Sequence, residues 1–141
     1  MAKKFLRCKT CGQIIEVIND TGVPIVCCGD QMEEIYPEVE EGVLADKHIP
    51  VYKIKDKKVE VKIGSIQHPS TVEHYIQWIS IETSKGSQYK KLKPGDAPEA
   101  TFVIGDGEIV KAIYAFCNIH SLWKVSLKPK TAPCGCELHL E

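Results

Sequence analysis

The metal-binding side chains of this sequence fall into two sets with opposite spacing. Cys8, Cys11, Cys27 and Cys28 lie within one short stretch, whereas His48, His68, His74, Cys117 and His120 are scattered over the remainder. Four thiols close in sequence can build a small closed site, while imidazoles drawn from distant segments reach one ion only through a larger fold. Two metal sites on two kinds of framework are therefore implied.

The thiol set can be read from its own chemistry. Cys8-Lys9-Thr10-Cys11-Gly12 puts two thiols on one tight turn, with Gly12 able to adopt a positive φ and turn backbone N–H groups toward sulfur. Cys27 and Cys28 complete the set, and Gly29 lets the chain turn away. Tetrathiolate coordination selects zinc or iron. Neighbouring side chains must bend toward one ion from consecutive Cα positions, which is unusual in a zinc ribbon and favours a distorted iron site, with zinc left open as a substitute. Iron would make the module an electron store or relay, and zinc would make it structural. A redox dithiol would leave the second thiol pair without a task. The chain has seven cysteines. Disulfides explain CxxC followed by CC poorly, and the start of the chain shows no export signal, so reduced, metal-binding thiols are expected.

Residues 1–36 contain few large apolar groups, so that piece needs metal or dimerisation to stay folded. The rest of the 141 residues can fold around its own core. Nearly every segment reads as strand: 13–18, 31–36, 49–55, 59–63, 72–83, 88–92, 100–104, 108–116 and 122–127. Turns are expected at Asp56-Lys57-Lys58, at Gly86 and at Gly105-Asp106-Gly107, with Lys93-Pro94-Gly95-Asp96-Ala97-Pro98 a stiff loop. No long helical periodicity interrupts them, so an all-β sandwich or small barrel is expected, with the domain boundary near Pro37. Residues 128–141 form a C-terminal extension in which Pro and Gly favour loose structure, and Cys134 and Cys136 are read as thiols of a mobile tail.

Charge excludes some functions. Eighteen Lys and Arg stand against nineteen Asp and Glu, a formal net charge of -1 without a basic cluster, so nucleic acid is not an expected partner. Met1-Ala2-Lys3-Lys4-Phe5 develops no apolar signal segment, and no apolar run has the length of a membrane span, so a cytoplasmic location without membrane attachment is expected.

The histidines are weighed separately. His48 and His68 lie close to prolines, His74 falls in an expected strand, and Cys117-Asn118-Ile119-His120 can clasp one ion across a turn. His139 reads as a surface residue. Spacing alone leaves open whether the other four share a site.

Taken together, Cys8-x-x-Cys11 with Cys27-Cys28, Asp46-Lys47-His48-Ile49-Pro50, Gly64-Ser65-Ile66-Gln67-His68-Pro69, Glu73-His74-Tyr75-Ile76-Gln77-Trp78, the 92–98 loop and Cys117-Asn118-Ile119-His120-Ser121-Leu122-Trp123 closely resemble desulfoferrodoxin, the two-iron form of superoxide reductase. The likeness runs from about residue 5 to about 125. It implies a desulforedoxin-like, rubredoxin-type iron domain at 1–36, an immunoglobulin-like β-sandwich at 37–127 and a homodimer. By that resemblance Cys8, Cys11, Cys27 and Cys28 hold the first of two irons per chain. His48, His68, His74 and His120 hold the second equatorially, with Cys117 axial and the opposite face open to superoxide.

The activity so implied is one-electron reduction of superoxide to hydrogen peroxide, with electrons from a rubredoxin-like donor. The alternative is an iron protein that only relays electrons. Lys47 matches the family's functional lysine and would steer the anion. Asp46 stands where the family pattern has Glu, one methylene shorter, and Ser121 stands where it has Gly.

Overall fold

The computed structural model describes residues 3–39, 43–127, 130–131 and 138–139. These divide into two compact units, Met1–Tyr36 and Pro37–Glu141.

In the smaller unit, β1 (Lys4–Arg7), β2 (Ile14–Val17) and β5 (Glu33–Ile35) form a sheet in the order β2-β1-β5, while β3 (Val26–Cys27) and β4 (Asp30–Gln31) form a separate two-stranded ladder. β1 is the central strand of its sheet and was not expected from the sequence. Its four residues are too few for alternation to register, and its antiparallel partners on both sides supply the pairing that defines it. Leu6, Cys8 and Met32 are buried together, with Ile15, Val17 and Cys27 packed against them, and Phe5 of β1 is buried as well. Exposed ion pairs, Lys4–Asp20 at 3.0 Å and Lys9–Glu33 at 3.1 Å, add little stability in water.

The larger unit is mostly β. It begins with a short helix, α1 (Val43–His48), followed by β6 (Pro50–Lys55), β7 (Lys58–Ile63), β8 (Ile76–Thr83), β9 (Gly86–Lys91), β10 (Glu99–Val103), β11 (Val110–Cys117) and β12 (Ser121–Ser126). Two antiparallel sheets result, β10-β7-β6 and β12-β11-β8-β9. β7 and β10 alternate buried and exposed residues along their lengths, the signature of one covered face, whereas β11 is buried almost throughout, the signature of a strand covered on both faces. Side chains from both sheets meet in one core that includes Val59, Val61, Ile63, Ile79, Ile81, Phe102 and Ile113. Each fully buried aliphatic side chain there contributes about 1.5–3 kcal/mol of transfer free energy. The backbone at Glu38 runs beside β12, accepting from Lys124 N (3.1 Å) and donating to Leu122 O (2.8 Å), which covers that sheet edge.

Turn chemistry follows the sequence closely. β6 and β7 are joined through Asp56-Lys57, with Asp56 at φ 56°, a conformation Asp tolerates. Ser84-Lys85 turns the β8–β9 hairpin, and Asp106-Gly107 makes a turn ahead of β11.

Three expectations need correction. The strand expected over 72–83 begins only at Ile76, so His74 lies in the preceding bend and not in a strand. The backbone there closes on itself, His74 N donating to Thr71 O (3.2 Å) and to Thr71 Oγ1 (3.1 Å), which no β ladder permits. Ahead of β6, where no helix was expected, lies α1, too short for periodicity to reveal. In the extension, Lys130–Thr131 (β13) pairs with Leu138–His139 (β14). Cys134 and Cys136 lie outside the described residues.

Candidate metal centres

In the smaller unit the Sγ atoms of Cys8, Cys11, Cys27 and Cys28 all lie within 4.8 Å of one another. Two turns bring this about. Gly12 N donates to Cys8 O (2.9 Å) and Cys8 N to Gln13 O (2.9 Å), curling the Cys8–Cys11 loop, with Gly12 at φ 80°. Cys28 and Gly29 form the two-residue loop between β3 and β4, both with positive φ, 54° and 81°. This is the backbone of a type I′ turn. It answers how adjacent cysteines serve one site: the left-handed conformation at Cys28 swings its side chain back to the side occupied by Cys27, and their sulfurs stand 4.0 Å apart. Cys11 and Cys27 are 3.6 Å apart. A tetrahedral ion with sulfur ligands at about 2.3 Å has an edge of about 3.8 Å, so the set fits a tetrathiolate metal. The acid–base balance points the same way. The Cys11 backbone N–H pulls Cys8 down to about 6, while the neighbouring thiols Cys8 and Cys11 push Cys27 up to about 12. The Cys8 thiolate forms readily, whereas Cys27 and Cys28, the latter also raised by Cys11 and Cys8, need a cation before they can follow.

In the larger unit His48, His74, Cys117 and His120 offer ligand atoms within 4.8 Å of one another. His68 adjoins this group, its Nε2 3.2 Å from Nε2 of His48, which in turn is 3.1 Å from Nδ1 of His120. Nitrogens at right angles around an ion about 2.1 Å away would be about 3.0 Å apart. The rings stand edge to face around the group, His48–His68 at 76°, His68–His74 at 78° and His48–His120 at 75°, whereas His48 and His74 are nearly parallel with centroids 6.1 Å apart. Four imidazoles thus close a cycle in which His48 faces His74 across the middle. Nε2 of His74 is buried without a hydrogen-bond partner, an uncompensated polar atom that a metal would satisfy.

Each ligand has a structural cause. His48 ends α1, and Cys117 ends β11, where it is fully buried. His68 is buried, and its Nδ1 is 2.7 Å from the carbonyl oxygen of Pro69, which sets Nδ1 as the protonated nitrogen and leaves the Nε2 lone pair toward the group. Burial drives His68 down to about 4, so it is neutral at physiological pH. His74 is also lowered, first by burial, then by His120 and by the charge of Lys47. Burial raises Cys117 against the opposing pull of the His120 and Ile119 backbone N–H groups, so its thiolate form depends on a neighbouring cation.

Lys47 and Asp46 are exposed on α1, and Lys47 directly precedes the buried His48. Ser121 takes φ 66°, the left-handed conformation common after a three-residue hairpin connection and natural to glycine.

Two supports were not assigned from sequence. Asn118 Oδ1 accepts from Tyr75 N (2.9 Å) and its Nδ2 donates to Glu73 O (2.9 Å), bracketing His74 from the loop that carries Cys117 and His120. Trp123 stacks on His48 at 4.9 Å and donates from Nε1 to His120 O (2.9 Å). Their position inside or just after the Cys117–His120 loop was the available signal.

Fold and sites together define a mostly β protein with two separate metal-binding clusters, one of four cysteines and one of histidines with cysteine. Residues 40–126 match the Desulfoferrodoxin family model, and residues 2–35 match that of the desulfoferrodoxin N-terminal domain. A desulfoferrodoxin of Nitratidesulfovibrio vulgaris is 40% identical over 122 residues, covering 86% of this chain and 94% of its own. A superoxide reductase of Pyrococcus horikoshii is 35% identical over 97 residues, covering 56% of this chain and 84% of its own. The crystal structure of the superoxide reductase from Treponema pallidum superposes with a TM-score of 0.76 at 32% identity, covering 89% of this chain and 98% of that one. The chain belongs to the desulfoferrodoxin family.

Proposed function

We propose that this chain is a superoxide reductase: superoxide gains one electron and two protons and leaves as hydrogen peroxide, and an external donor returns the electron. The observation that carries this reading is the gathering of His48, His74, Cys117 and His120, with His68 beside His48, where His74 Nε2 has no hydrogen-bond partner. We assign His48, His68, His74, His120 and Cys117 to one iron and Cys8, Cys11, Cys27 and Cys28 to a second, at which zinc is a possible substitute. Iron in the His/Cys centre supplies the one-electron couple.

The residues of the chain do the rest. Neutral imidazoles donate lone pairs without cancelling charge, so with one thiolate the centre keeps a net positive charge that favours an anion. Lys47 adds an exposed ammonium on the residue that precedes His48, and we assign it the steering of superoxide toward the centre. Asp46 is assigned a part at the oxidised centre, with a carboxylate one methylene shorter than the family pattern. The Cys117 thiolate would be the anionic holder of the iron and would donate electron density to it.

In the same reading the larger unit, 37–127, is an immunoglobulin-like β-sandwich, supported by two sheets that share one core. Residues 1–36 form a desulforedoxin-like domain and 128–141 an extension. The protein acts as a cytoplasmic homodimer fed by a rubredoxin-like donor. Among the described residues no helix is long and apolar enough to cross a membrane.

Anaerobic pulse radiolysis of iron-loaded protein, with peroxide and oxygen measured separately, tests the reaction. Peroxide without oxygen is expected. Oxygen released in step with peroxide would mean dismutation, and an optical spectrum that superoxide leaves unchanged would mean electron relay alone; either result sinks the proposal.

A further inference from the structure

Between β7 and His68 the chain makes a tight turn that lies against the end of α1. Gly64 N donates to Ile49 O (3.1 Å), Ile66 N donates to Asp46 O (3.0 Å), and Ser65 Oγ donates to that same Asp46 carbonyl (3.3 Å). Across the foot of the turn His68 N donates to Ile63 O (3.3 Å). Helix ends leave carbonyls without intrahelical donors, and α1 closes with Ile49 N on Ala45 O (2.8 Å). The next carbonyl, that of Asp46, is the one the turn satisfies twice.

Gly64 makes this fit possible for two reasons. Its φ is 82°, a conformation that side chains resist. A Cβ there would also stand 2.7 Å from both the carbonyl carbon and oxygen of Lys47 and collide with the carbonyl oxygen of Ile66. All three are backbone atoms, which cannot step aside as a flexible side chain does. Gly64 therefore lies against the backbone of Lys47 itself.

We propose that Gly64-Ser65-Ile66 is a positioning element: it clamps the backbone of Asp46-Lys47-His48 so that the Lys47 ammonium faces the His/Cys centre, and it keeps His48 and His68 in register across the same bracket. The role in steering rests on the reductase reading above, whereas the clamp rests on geometry alone. A consequence concerns Asp46, whose own carbonyl is the anchored atom. Its short carboxylate must move by side-chain rotation about a held backbone.

Gly64→Ala and Ser65→Ala in the full-length protein test the clamp. In zinc-loaded protein, amide exchange at Ile66 should quicken about tenfold in Gly64→Ala and severalfold in Ser65→Ala, as expected when its hydrogen bond to Asp46 is weakened, with Ile79 and Ile113 amides unchanged. Affinity of the His/Cys centre for zinc should fall about tenfold in Gly64→Ala. In iron-loaded protein, the salt dependence of superoxide reduction should flatten toward that of Lys47→Ala, and Gly64→Ala combined with Lys47→Ala should flatten it no further.

Wild-type exchange at Ile66 in Gly64→Ala would overturn the clamp. Faster exchange with an unchanged salt slope would reduce the turn to a structural feature and overturn the positioning role. Should Gly64→Ala fail to fold, Ser65→Ala decides on the same two readouts. Absence of superoxide reduction in the unmodified protein would sink the reductase reading by itself, while exchange and zinc affinity would still decide the clamp.

Discussion

The two units solve the problem of gathering metal ligands in opposite ways. In the smaller unit the ligands come from two turns, Cys8–Cys11 and Cys27–Cys28, and the surrounding core amounts to a few side chains around Leu6 and Met32. In the larger unit His48 and His120 touch across 72 residues of sequence, and they do so because a full two-sheet core holds α1 and the β11–β12 hairpin in place. On the metal assignment proposed above, the first site should help to make its fold, whereas the second is gathered by its fold.

Chelation separates these cases most strongly. Structural tetrathiolate sites contribute on the order of 10 kcal/mol to small domains. Stripping both metals should therefore abolish amide protection in β1, β2 and β5 while β8 and β11 remain protected, as measured by hydrogen exchange. Equal protection of both units in metal-free protein would break the distinction. From the other side, Ile113→Ala removes a fully buried side chain from the larger core and should cost about 2–5 kcal/mol in denaturant unfolding of that unit, with the tetrathiolate absorption band of the smaller unit intact.

A functional contrast follows, because only the larger unit is assigned an anionic substrate. Lys47→Ala should slow superoxide reduction about tenfold and weaken its dependence on ionic strength, since screening then has less attraction to suppress. Asp46→Ala should leave that first step nearly unchanged and alter the spectrum of the oxidised state instead. Rapid mixing across a salt series measures both, and an unchanged slope in Lys47→Ala removes the steering role.

Smaller effects test how far the fold is strained or charged away from its centre. Ser121 holds a left-handed φ of 66°, and Ser121→Gly should stabilise the larger unit by about 1 kcal/mol in thermal unfolding. Glu108 is held below the usual carboxylate range, first by the Gly105 backbone N–H at 2.8 Å and then by the Thr83 hydroxyl. Its folded value lies beneath the unfolded value of about 4.3, so its contribution is complete above that pH and disappears as pH falls through the folded value. Glu108→Gln should flatten this acid limb for the larger unit only, as followed by unfolding at graded pH.

Much of the strand pattern was legible because alternation along β7 and β10 and the apolar run of β11 are local records of one-sided and two-sided burial. The thiol set was legible too, since its ligands sit on turns marked by Gly12 and Gly29. β1 and α1 escaped because each is shorter than the period that would reveal it. His74 was misplaced because a bend closed by Thr71 looks, in composition, like the strand that follows it.

The residue order alone thus dictated local geometry: where the chain alternates, where glycine lets it turn left-handed, and which thiols are near enough to share an ion. Tertiary structure decided which imidazoles meet, that Nε2 of His74 is left without a partner, and that the turn at Gly64 presses against the backbone of Lys47. Those relations join segments distant along the chain, and no local propensity records them. They exist only once the two sheets have buried their common core and brought α1, the 64–68 turn and the 117–120 loop to one place.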